Sequence, residues 1–114
     1  MTCEVMNVIK ITQGSKEDIL IRLKDPNTGE RFDLTQFESA KAIFKTTNGV
    51  TIEKTIAWPV TDPKLGVVTF SLVSADTDQF DTEMRDFELL FVYTGAANNH
   101  IVILKDSIEV EARL

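Results

Sequence analysis

The stretch SAKAIFKTTNGVTIEKTIA, Ser39 to Ala57, decides the fold. Ala40, Ala42 and Phe44 fall on one side of it, and Lys41 and Lys45 on the other. After the turn, Val50, Ile52 and Ile56 oppose Thr51, Glu53 and Thr55. A period of two is the mark of a half-buried strand, dry on one face and wet on the other. Asn48-Gly49 lies between the two runs. Both central residues of a two-residue hairpin turn need positive φ, which Asn and Gly tolerate. Lys45 to Ile52 therefore reads as an antiparallel hairpin. Trp58-Pro59 ends its second strand, because proline cannot donate to a ladder.

The same period extends in both directions. Ile19, Ile21 and Leu23 oppose Asp18, Arg22 and Lys24, with Leu20 breaking the polar row. Val68, Phe70 and Leu72 oppose Thr69 and Ser71. The first strand is expected from Val5 to Thr12. In RDFELLFVYTG, Phe87, Leu89, Phe91 and Tyr93 share one face while Leu90 and Val92 fill the other. A strand apolar on both faces should be central or touch a second partner. In HIVILKDSIEVEARL, Asp106 interrupts a row running from Val102 and Leu104 to Ile108, Val110 and Ala112. A bulge or bend near Lys105–Ser107 is expected there. DPNTG, DPKLG and TGAANN supply further turns. Helix is expected only at Ser74 to Phe80, with Ser74 as N-cap, and as a second turn within Leu34 to Ser39. About seven short strands of this kind predict an all-β, immunoglobulin-like antiparallel β-sandwich with one short helical turn, a single domain over 1–114.

Composition narrows the function classes. The 114 residues are 43% hydrophobic and 26% charged, with a net charge of −6. That field repels polyanions, so no nucleic-acid partner is expected. One cysteine, Cys3, excludes an intrachain disulfide, and with His100 as the only histidine a structural zinc site is poorly supplied. The start, MTCEVMNVIKITQG, has no basic stretch followed by an apolar core, so no signal peptide is expected. No apolar run approaches the roughly 20 residues of a membrane span, so no membrane partner is expected.

Candidate chemistry is thin. Asp25, Asn27, Glu30 and Asp33 put oxygen donors around Gly29, as a calcium loop would. The spacing fails the EF-hand pattern, with Gly29 at its fifth position, Glu30 at its sixth and Gln36 at its twelfth. The loop instead reads as a turn in which Pro26 sets φ, Asn27 caps locally and Gly29 takes positive φ. Asp76, Asp78, Asp81, Glu83 and Asp86 form an acidic run that reads as a solvated loop rather than an acid–base pair. His100 and Cys3 have no nucleophile or base partners in sequence. No glycine-rich phosphate loop, G-x-S-x-G elbow or H-E-x-x-H helix is present. No enzyme activity is expected, and no catalytic, cofactor or metal residues are assigned. The candidate contact residues are Leu90 and Val92, and Ile101 and Ile103 on an outward strand face where edge strands readily pair. Trp58 and Tyr93 join them; with loop 94–100 these two are also the contact set of an alternative, carbohydrate-binding module.

The chain also carries a recurrent order of pieces: a strand ending in D-x-x-x-G, a short FDLT connection, a strand in AKAIFK, an N-G hairpin, GVVTFSL, and a closing IEV strand. From Asp18 to Leu114 this resembles the immunoglobulin-like N-terminal domain of tailed-phage upper baseplate proteins and related phage and prophage tail proteins. The resemblance implies a non-catalytic virion structural or assembly protein, in the bacterial cytoplasm during assembly and then in the virion. Its implied partners are other phage structural proteins or copies of itself as a homo-oligomer. Such domains are usually the attachment part of a longer protein; a chain of this length suits a small tail, neck or head-decoration component.

Overall fold

A computed structural model describes residues 4–5, 8–95 and 99–113. Among these, nine strands occur: β1 (Glu4–Val5), β2 (Ile9–Thr12), β3 (Glu17–Lys24), β4 (Phe37–Lys45), β5 (Thr51–Thr55), β6 (Val67–Leu72), β7 (Phe87–Tyr93), β8 (Asn99–Leu104) and β9 (Ile108–Glu111). A 3-10 turn (Pro63–Leu65) precedes β6, and a one-turn helix α1 (Ser74–Thr77) follows it. The strand count exceeds the expected seven because the first and last apolar runs each divide in two.

One layer is the sheet β1-β3-β6, and the other is β5-β4-β7-β8. In immunoglobulin lettering these are A-B-E against C′-C-F-G. β7 is a central strand, hydrogen-bonded to β4 on one side and β8 on the other. This accounts for its two apolar faces: Phe87, Leu89 and Phe91 are buried inward, and Leu90 and Val92 are half-buried outward. The inward residues of β3 and β6 meet those of β4, β7 and β8 in one core. Two aromatic clusters occupy the ends of β4. Phe44 lies 5.9 Å from Phe70 of the facing sheet and 5.1 Å from Phe87. Phe37 lies 4.6 Å from Phe91 and 5.0 Å from Tyr93. A bulge between Phe37 and Ser39 turns Phe37 inward to make that second contact.

The bend foreseen near Lys105–Ser107 proves to be a change of partner. Asp106 takes φ +53, and the amides of Ser107 and Ile108 both donate to the Arg85 carbonyl, at 2.9 and 3.0 Å. Beyond it, β9 leaves β7 and pairs with β2, register Ile9↔Ile108 to Thr12↔Glu111. This pair is parallel, the one departure from the expected antiparallel pairing among the described strands.

Three local expectations are corrected. The β4–β5 hairpin forms, but its loop has three residues: the Gly49 amide donates to Thr46 O, and Thr46 N to Val50 O. Only Gly49 takes positive φ, at +91, while the Asn48 side chain accepts from the Thr46 hydroxyl instead. This is the turn-plus-left-handed-residue loop, not the two-residue one. At α1 the N-cap is Val73, not Ser74; the Asp76 carboxylate accepts from the Val73 amide at 3.0 Å. In the loop after β3, Asp25 rather than Asn27 is the local cap, accepting from the Asn27 amide at 2.8 Å. Leu34 to Phe37 makes a single turn, closed by the Phe37 amide donating to Leu34 O.

Candidate functional site

The outer face of β5-β4-β7-β8 gathers apolar side chains that the inner core does not need. β7 and β8 pair Leu90 with Ile101 and Glu88 with Ile103. β4 and β7 pair Lys41 with Leu90, Ile43 with Glu88 and Ser39 with Val92. Side chains directly opposite on one face of an antiparallel pair stand about 5 Å apart. Leu90, Val92, Ile101, Ile103 and Ile43 thus form one patch crossed by Lys41 and Glu88. Ile101 and Ile103 are 58% and 56% exposed. Of the other large exposed apolar residues, Val8 and Leu20 line one groove on the opposite layer, while Leu65 and Val73 lie in the turns either side of β6. Single exposed apolar residues are ordinary; a contiguous set is what marks a contact surface.

A depression of about 380 Å³ runs along this face between Ile43, Lys45, Glu88 and Ile103. Lys45 and Glu88 pair across it at 3.3 Å. β8 is the last strand of its sheet. The kink at Asp106 directs β2 to β9 and leaves the far edge of β8 uncovered by any described strand.

Four of the six sequence-derived contact residues therefore share one face, and two do not. Tyr93 points inward, half-buried, 5.0 Å from Phe37. Trp58 lies at the opposite layer, half-buried against the core, in an open groove of about 740 Å³ with Asp18, Leu20, Thr69 and Ser71. Tyr93 does not line the groove at Trp58, and residues 96–98 of the predicted loop lie outside the described residues. Ile43 is not among the sequence-derived contacts, since it lies between Lys41 and Lys45 on the wet side of its strand; an apolar residue breaking that polar row is the signal that marks it.

The carboxylates serve local structure. Asp33 accepts from the Thr35 amide at 2.9 Å and the Thr35 hydroxyl at 2.7 Å, which hold its carboxyl below the ordinary value. Burial pushes Asp76 upward, but the Lys54 ammonium at 2.7 Å and the Val73 amide outweigh it and leave the group lowered. Asp81 behaves alike: burial opposes, while the amide and hydroxyl of Thr47, both at 2.9 Å, prevail. Asp78 pairs with Arg113, and Asp86 accepts from the Asp106 amide. Among the described residues no three His, Cys, Asp or Glu side chains converge as metal ligands. His100 lies inward beside Phe37 and Tyr93, and its Nε2 has no partner among the described residues. Cys3 lies outside the described residues. No family model matches the chain, and no curated protein matches it.

Proposed function

We propose that this chain is a non-catalytic assembly module that works by protein–protein contact through the outer face of β5-β4-β7-β8. The observation that carries the reading is the contiguous patch of Leu90, Val92, Ile101, Ile103 and Ile43, lying beside an uncovered strand edge. Burial of such a patch contributes about 25 cal/mol for each Å² removed from water, and a partner seated on this face would supply it. The resemblance to phage baseplate and tail domains gives the setting: a tail, baseplate, neck or decoration component of a phage or prophage particle, made in the bacterial cytoplasm and carried into the virion. The test follows the native chain by antibody through a density gradient of particles from a producing culture. Banding with particles is expected, together with its loss in Leu90→Lys, with far-UV circular dichroism used to check that the variant keeps its β fold, since the new ammonium faces Lys41. A chain that never enters particles, or a variant that enters as well as wild type, rejects the reading.

One observation favours a second reading, carbohydrate binding. In the groove beside β6, Trp58 shares its walls with the hydroxyls of Thr69 and Ser71 and the carboxylate of Asp18. A ring face beside hydroxyl and carboxylate groups suits a sugar. A glycan array would then give hits that Trp58→Ala abolishes; an array without hits removes this reading.

A further inference from the structure

Resting on the assembly reading, the geometry points to the partner: we propose that β8 pairs antiparallel with β8 of a second copy about a two-fold axis at Val102, joining two four-stranded sheets into one of eight. Four observations carry this. First, β8 ends its sheet, and among the described residues no backbone hydrogen bond outside the β7 ladder reaches His100 to Ile103. An antiparallel copy of the same strand satisfies such an edge, because it presents the same alternation of N–H and C=O in reverse. Second, Asn99 to Leu104 contains no Asp, Glu, Lys, Arg or Pro, and its pairing with β7 runs without a register shift. Natural edges are usually blunted by such devices.

Third, the outward residues are symmetric. Ile101 and Ile103 stand one residue either side of Val102. Pairing about Val102 sets each Ile103 opposite the Ile101 of the other copy, so four isoleucines close over the seam, each Ile101 backed by Leu90 and each Ile103 by Glu88 of its own β7. A two-fold interface must match itself in this way, and a heterologous strand would meet the requirement only by coincidence. Fourth, charge selects a copy over an ionic partner. The chain carries −6, yet the strand holds no Asp, Glu, Lys or Arg, and the first of these beyond it, Lys105, falls opposite Asn99 in this register. No like charges meet across the seam.

Light scattering on the full chain over a concentration series tests the pairing. An apparent mass rising from one to two chains is expected for wild type. The double variant Ile101→Lys/Ile103→Lys should raise the dissociation constant at least about tenfold, since four ammonium groups would crowd the seam, while melting as wild type does at dilutions where both are monomers. Leu20→Lys, on the opposite layer, should dimerise as wild type does. A wild-type monomer throughout, or a dimer indifferent to the double variant, overturns the pairing. The particle gradient separates the two proposals: a monomer that bands with particles, and loses this in Leu90→Lys, keeps the assembly reading without self-pairing. A dimer that never bands keeps the pairing and removes the assembly role.

Discussion

Gly66 shows how much a single residue can decide. It takes φ +67, and a Cβ there would lie 2.7 Å from Leu23 O and 2.9 Å from Phe32 O. Its own carbonyl accepts the Leu23 amide at 2.8 Å, so the close approach joins the 3-10 turn to the end of β3. Gly49 has φ +91 but no atom within 4 Å of the corresponding position. Gly66→Ala is therefore expected to cost about 3 kcal/mol or more, and Gly49→Ala only about 1–2, the left-handed strain alone. Urea unfolding of the two variants measures the gap, and equal losses would mean that the backbone around Gly66 yields. At this scale the sequence was only partly legible. DPKLG announced a turn, but not that its glycine is pressed against a carbonyl of β3 and another of the loop that follows it. Asn48-Gly49 announced a hairpin, but Thr46 captured the Asn48 side chain and a three-residue loop formed.

At the scale of elements, alternation identified faces well and neighbours poorly. The inward rows of β3, β4, β6 and β7 are buried as their period demands. Period alone does not say which strand lies alongside. The run Val5–Thr12 reads as one strand, and His100–Ala112 as one strand bent near Lys105–Ser107, yet each serves both an outer strand and the β2–β9 pair. The connections between elements rest on carboxylates: Asp81 ties the 81–84 turn to Thr47 in the β4–β5 loop, and Asp76 ties α1 to Lys54 of β5. Both carboxyls, and that of Asp33, are lowered on folding from near 3.8. A lowered carboxyl contributes stability that is complete above its unfolded pKa and disappears as pH falls through its folded one. The melting temperature should thus be insensitive to these groups near neutrality and fall below about pH 4. Asp81→Asn should lower it at pH 7 and flatten the acid decline. An acid decline as steep in the variant as in wild type would assign that decline to other groups.

For the whole molecule, the two layers and their shared core followed from the spacing of apolar residues, and the interaction face followed in part. Leu90, Val92, Ile101 and Ile103 were legible as apolar residues on the wrong side of their strands. That they adjoin, and that Ile43 completes them, depends on the register of three strands, which no single stretch encodes. The β2–β9 pair carries a mechanical consequence. These strands lie near opposite ends of the chain and run in the same direction. Tension applied between the termini drags them past one another along their length, after the two-residue β1 has peeled from β3. The ladder then bears load in shear, its bonds resisting together where a hairpin would unzip one rung at a time.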